Sequence, residues 1–195
     1  MKKLGVIFGG KSTENEVSEQ SAKSVLANLD KTKYEIYPIY INRDGVWFEY
    51  ENMKQIENII EYLRKLDVVF PVLHGLYGED GTIQGMLKLF DIPYIGCGVL
   101  ASSVGMDKGY TKVVLEKAKI NQVEYLYLKK YKENEDFIYI DEELNEINLS
   151  LEEVINLTIK KLNFPVFVKP SNSGSSVGVT KATNTEELRK SIVKQ

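Results

Sequence analysis

The sequence predicts an α/β protein whose amino-terminal part is a mostly parallel sheet. Three observations carry that reading. Apolar runs at residues 4–8, 34–41 and 68–73 have the length and composition of buried strands. Between them lie stretches of helical period: Ala22, Val25, Leu26 and Leu29, then Met53, Ile56, Ile59, Ile60 and Leu63. Strands that alternate with helices need crossover connections, which make their neighbours parallel. A chain of 195 residues is long enough for one or two domains with a real core.

Composition narrows the function classes. Hydrophobic residues make up 43% and charged residues 27%, as in ordinary globular proteins. A net charge of −3 argues against nucleic acid as the main partner. The sequence holds no apolar run long enough to span a membrane, and the basic start Met1-Lys2-Lys3 turns polar too soon for a signal peptide. The single cysteine, Cys97, excludes an internal disulfide framework and fits a reducing cytoplasm; it reads as a small buried apolar residue. With one histidine and one cysteine, a zinc site is not expected.

The first strand ends in Gly9-Gly10, and Thr13 and Glu16 follow with capping-box spacing ahead of a helix. A Gly-rich turn meeting a helix amino terminus suits an anion or carboxylate. Residues 5–12 also fit the phosphate-loop spacing, ending in Gly10-Lys11-Ser12. Val6, Ile7 and Phe8 occupy the positions that the loop itself would need, so the strand reading prevails. After the second strand comes a turn at residues 42–45, then a short strand at 46–48, then the second helix.

Residues 74–85, HGLYGEDGTIQG, join the strand at 68–73 to a short amphipathic helix carrying Ile83, Met86, Leu87 and Phe90. Taken singly, Asp80 reads as a cap of that helix and a lone histidine as structural. The position is a strand-to-helix loop at a carboxyl end, where open α/β sheets bind ligands. A further strand is expected at 92–96, and the first domain closes near Gly105. Beyond it the sequence predicts a helix to about Ala118, a strand at 124–131, and an acidic surface excursion at 132–148 containing one strand at 137–140. Ser150 and Glu153 have capping-box spacing before another helix. Residues 164–170 form a strand ending in Lys169-Pro170, and the Gly/Ser loop that follows leads to a second strand. Read alone, that loop is a mobile hairpin tip. A last helix runs from about Thr185 to Val193.

Taken together, His74, Gly75, Gly78, Glu79, Asp80, Gly81, Ile83, Gln84 and Gly85 match every fixed position of a signature that resembles that of D-alanine–D-alanine ligases, which are ATP-grasp enzymes. Residues 9–18 (GGKSTENEVS), 106–108 (MDK) and the hairpin from Lys169 to Gly178 resemble the same family in the same order. The resemblance implies an amino-terminal pre-ATP-grasp, substrate-binding domain at 1–105 and the first part of an ATP-grasp domain at 106–195. It implies that Glu14 holds the ammonium of the first D-alanine, Val17 packs on its methyl, and His74 lies beside it and its developing acyl phosphate. Lys108 and Lys169 would bind ATP phosphates. Ser175 would link the hairpin to the first substrate, and Ser176 and Gly178 would close over the phosphates. Glu14, His74 and Ser175 are thus the expected catalytic residues, with Glu16 and Glu79 structural.

The implied cofactors are ATP and Mg²⁺, the implied setting a cytoplasmic homodimer with no nucleic-acid or membrane partner, and the implied product D-alanyl-D-alanine for peptidoglycan. Family members continue through magnesium ligands and nucleotide contacts not found here. The 195 residues are therefore expected to be a fragment that does not catalyse alone. Competing readings are a ligase adding D-serine or D-lactate, a non-catalytic binding module, or an ATP-grasp ligase with another acid substrate.

Overall fold

A computed structural model describes residues 1–130 and 136–194. They divide into two units, Met1–Asp107 and Lys108–Gln195.

The first unit runs β1 (Lys2–Gly9), α1 (Asn15–Asn28), β2 (Tyr34–Ile41), β3 (Trp47–Glu49), β4 (Lys54–Gln55), α2 (Ile59–Leu63), β5 (Val68–Pro71), α3 (Thr82–Leu89) and α4 (Val99–Met106). Its five-stranded sheet has the order β4-β3-β2-β1-β5. β1 is parallel to both β2 and β5, while β3 and β4 add an antiparallel edge. Alternation along β1 separates two cores. Leu4, Val6 and Phe8 pack with Ala22, Val25, Leu26 and Leu29 of the α1 side. Ile7 turns to the other face, with Leu63, Leu66, Ile83 and Leu87.

The chain leaves β1 through α1 to β2 on one side, and β5 lies on the other side of β1. The carboxyl ends of β1 and β5 are therefore a topological switch point, the place at which open α/β sheets bind ligands. Both motif-bearing loops start there, one after Gly9 and one after Pro71.

Several expectations are corrected. The helix expected from Met53 starts only at Ile59, because Asn58 caps it by accepting the Glu61 N–H at 3.2 Å. Met53 sits at φ 53 in a turn, and the Ile56 N–H pairs with the Trp47 carbonyl. The apolar period there spans a turn and a strand as well as the helix. The strand expected at 92–96 shrinks to one parallel bridge between Val69 and Tyr94, since Pro93 has no N–H to offer a ladder. Cys97 is exposed rather than buried. The helix α4 was not expected between Gly98 and Gly105; Gly98 serves as its N-cap and Gly105 lies inside its last turn.

The second unit runs α5 (Lys108–Lys117), β6 (Tyr127–Lys130), β7 (Phe137–Ile140), β8 (Glu146–Leu149), α6 (Leu151–Lys161), β9 (Val166–Val168), β10 (Thr180–Ala182) and α7 (Thr185–Val193). β6-β7-β8 form an antiparallel sheet and β9-β10 an antiparallel hairpin. Phe137, Val154, Ile155, Val166, Ala182, Leu188 and Ile192 bury a common core under α6 and α7. The capping box at Ser150 forms as expected. Ser150 Oγ accepts the Glu153 N–H, and the Glu153 carboxylate accepts the Ser150 N–H at 2.8 Å. β8 adds a strand to the excursion that was expected to hold one. Residues 131–135, which include the end of the expected strand at 124–131 and the start of the excursion, lie outside the described residues.

Candidate functional site

In the first unit the candidate site is built from a buried polar network at the switch point. Ser18 is fully buried on α1; its hydroxyl accepts the Gly9 N–H at 2.8 Å and donates to the Val72 carbonyl at 2.6 Å. One side chain thus ties α1 to the carboxyl ends of β1 and β5. Asn15, also buried, donates its amide to the Gly10 carbonyl at 2.7 Å and to the Ile41 carbonyl at 3.3 Å. Gly9 has φ 89, and a side chain there would collide with the Ile41 carbonyl, so the tight exit from β1 requires glycine.

Ser12 links the two motif loops. Its hydroxyl donates to the His74 carbonyl at 2.6 Å and accepts the Glu14 N–H at 3.1 Å. The expected Thr13–Glu16 capping box does not form: Glu14 is the N-cap residue of α1 and no side chain caps it. Glu16 instead pairs with Arg43 at 3.1 Å, an exposed ion pair of small energetic weight. Gly75 has φ 72, and a methyl group there would run into the Glu14 carboxylate. That carboxylate therefore lies directly over the backbone that follows His74. Val17, one turn further along α1, is 49% exposed, which is unusual for valine and leaves its side chain available to a ligand.

The rest of the His74 loop is self-braced. The Gly75 N–H donates to the Glu79 carboxylate at 2.6 Å. The Asp80 carboxylate accepts the Tyr77 N–H at 2.9 Å and the Thr82 N–H at 3.0 Å, fastening the loop to the start of α3. Burial pushes the Asp80 carboxyl up, but these bonds together outweigh it and hold its pKa below the ordinary value. Ser103 of α4 donates to the Asp80 carbonyl at 2.8 Å. His74 Nε2 lies 2.9 Å from Ser21 Oγ.

Lys108, Lys169, Ser175, Ser176 and Gly178 all belong to the second unit. Lys108 was expected as a point charge toward phosphates. In the fold its ammonium donates to the carbonyls of Ser171, at 3.3 Å, and Ser173, and so holds the base of the hairpin loop. Lys169 is exposed beside the Phe167 ring. Ser175, Ser176 and Gly178 are exposed and left-handed, with φ 46, 60 and 75. The loop closes on itself as a tight turn: the Val177 N–H donates to the Gly174 carbonyl at 3.0 Å and the Val179 N–H to the Ser176 carbonyl at 3.2 Å. Among the described residues no three His, Cys, Asp or Glu side chains come together to hold a metal ion.

Sequence reasoning missed the work of Ser12, Asn15, Ser18 and Ser21. The available signal was Ser18, a small polar residue on the same helical stripe as the buried Ala22 and the partly buried Val25.

Comparison with known proteins agrees with the motifs. The family profile described as D-ala D-ala ligase N-terminus matches residues 3–63 and 49–97, and that described as D-ala D-ala ligase C-terminus matches 114–195. A D-alanine–D-alanine ligase of Clostridium acetobutylicum is 47% identical over 96% of this chain and 55% of its own length. Among solved structures, the VanG D-Ala:D-Ser ligase of Enterococcus faecalis is 34% identical with TM-score 0.77, over 99% of this chain and 59% of that one. The D-alanine–D-alanine ligase of Bacillus anthracis complexed with ATP is 32% identical with TM-score 0.71, over 99% of this chain and 54% of that one. The chain thus spans a little over half the length of the relatives it matches.

Proposed function

Since the chain belongs to the D-alanine–D-alanine ligase family, we propose that it serves the ATP-dependent joining of two D-alanines into D-alanyl-D-alanine for peptidoglycan. The observation that carries this reading is the Glu14 carboxylate set over Gly75 at the switch point, on a residue whose backbone N–H donates to the Ser12 hydroxyl that in turn donates to the His74 carbonyl. A carboxylate is what an amino-acid ammonium needs, through a charge-assisted hydrogen bond. Val17 offers an apolar contact for the methyl group, and His74 a polar ring for the carboxylate end. In the chemistry proposed, the carboxylate of the first D-alanine takes the γ-phosphoryl group of ATP, giving an acyl phosphate. The amine of the second D-alanine then attacks the acyl carbon and phosphate leaves.

In the second unit, Lys169 and the N–H groups near Ser175, Ser176 and Gly178 would bind the phosphates, while Lys108 shapes their loop. Magnesium is proposed to accompany ATP; among the described residues no three His, Cys, Asp or Glu side chains gather around it. The proposed setting is a homodimer in the cytoplasm; no described helix is long and apolar enough to cross a membrane. The likeness to a D-Ala:D-Ser ligase keeps D-serine as the competing second substrate, and product mass spectrometry would separate the two.

The test is a titration of this protein with D-alanine followed by amide NMR. D-alanine should shift Glu14, Val17 and Gly75, L-alanine should do so far less, and Glu14→Gln should weaken binding roughly tenfold, the loss of about 1.4 kcal/mol expected for one charge-assisted contact. Equal binding by native and Glu14→Gln protein would sink the role given to Glu14.

A further inference from the structure

We propose that Ser21 is a positioning residue for His74: its hydroxyl donates to Nε2, holds the neutral ring with its proton on Nδ1, and so decides which nitrogen faces the first substrate as a donor. The inference rests on the placement of His74 beside that substrate.

The geometry is fixed from both ends. Ser21 lies on α1 one turn beyond Ser18, and Ser18 is locked to the Gly9 N–H and the Val72 carbonyl. The helix therefore cannot shift relative to the end of β5 without breaking buried hydrogen bonds. His74 follows β5 by a few residues, and its carbonyl is held by the Ser12 hydroxyl at 2.6 Å. Between these two anchored backbones, Ser21 Oγ and His74 Nε2 meet at 2.9 Å, with both residues half-buried.

A serine hydroxyl carries one proton, and a neutral imidazole has one nitrogen that donates and one that accepts. The Ser21 hydroxyl and Nε2 are within hydrogen-bond distance, and in the proposed direction the hydroxyl donates and Nε2 accepts. Donation to Nε2 leaves the ring proton on Nδ1. The ring then offers an N–H, the kind of group that a carboxylate or phosphoryl oxygen accepts from. The second partner of a functional histidine commonly sets its tautomer in this way. Ser21 would touch neither substrate nor ATP; it would act through His74.

His74 is the only histidine in the chain, so ¹⁵N-histidine labelling gives one pair of ring signals with no assignment problem. At about pH 8.5, above the ordinary imidazole range, the native protein should show two widely separated ring nitrogens, with Nδ1 protonated. Ser21→Ala should draw the two signals together as the tautomers mix, and Ser21→Thr, which keeps the hydroxyl, should restore the separation. A merely structural serine would not move this readout while the amide spectrum stays folded. A native ring protonated on Nε2, or a separation unchanged by Ser21→Ala, would overturn the proposal. The same samples titrated with D-alanine keep the two readings apart. Loss of the ring effect with D-alanine binding intact condemns the role of Ser21 alone, whereas absent D-alanine shifts condemn the substrate placement.

Discussion

Around His74 the backbone is held by buried side chains, whereas the hairpin from Ser171 to Gly178 is gripped at its base and exposed at its tip. Ser12, Asn15 and Ser18 are buried and between them satisfy backbone groups at the ends of β1, β2 and β5. In the hairpin, Lys108 binds the carbonyls of Ser171 and Ser173, and Ser175, Ser176 and Gly178 stand exposed in left-handed conformations. The difference suits the two proposed ligands. An amino acid offers a few polar atoms and little area, so its site must be rigid before it arrives. A phosphate chain carries enough charge to order a loop as it binds, and small residues let backbone N–H groups approach it.

The comparison breaks most visibly at Ser18. Ser18→Ala leaves the buried Gly9 N–H and Val72 carbonyl without their partner, at about 2–4 kcal/mol for the two groups. Trp47 is the only tryptophan and packs against the core of the first unit. Urea unfolding followed by its fluorescence should therefore report that loss directly. A change under about 0.5 kcal/mol, within the range of ordinary surface substitutions, would mean that the first loop is no better anchored than the second.

A smaller effect is expected from Lys108→Met, which keeps the length of the stem and removes the ammonium. Losing its bonds to the Ser171 and Ser173 carbonyls should cost about 1–2 kcal/mol, since the site is only partly buried. Amide hydrogen exchange from 174 to 179 should quicken by about tenfold, the equivalent of roughly 1.4 kcal/mol. The Trp47 transition should stay where it is. Unchanged exchange would show that the hairpin keeps its shape without the lysine, and would return Lys108 to the role of a free point charge.

Much of this contrast was legible in the sequence, and the reasons it was not all legible are physical. The bounds of β2 and α7 and the Ser150 capping box follow from local period and spacing, and local rules are what a sequence displays. The His74 loop was found because it is a dense motif on a strand-to-helix turn. Hydrogen bonds between residues far apart in sequence were not legible. Ser12 reaches the His74 carbonyl across 62 positions and Ser18 reaches the Val72 carbonyl across 54, and only the parallel pairing of β1 with β5 brings them together. Tertiary competition explains the failed cap at Thr13: Ser12 engages the other loop, and Glu16 is drawn outward to Arg43. The missed α4 has a different cause: it starts from Gly98 as N-cap and carries Gly105 in its last turn, and glycine is a poor helix former that marks breaks more often than helices.

The finest test concerns how the His74 loop is fastened to α3. Asp80 has a folded pKa below its ordinary value because accepted hydrogen bonds outweigh burial. A carboxyl with a depressed pKa stabilises the fold above the unfolded value of about 3.9, and that contribution fades as pH falls through the lower folded value. Asp80→Asn removes the titration and keeps one acceptor oxygen. The native protein should therefore exceed the variant in stability at neutral pH, with the gap narrowing below about pH 4. Because Asp80 is only half-buried, solvent screening limits the gap to a few tenths of a kcal/mol. Trp47-monitored urea midpoints at pH 7 and pH 3 would measure it. A gap that widens in acid would show that Asp80 is not held as a carboxylate by Tyr77 and Thr82, and that the loop's rigidity comes from Glu79 and Ser12 instead.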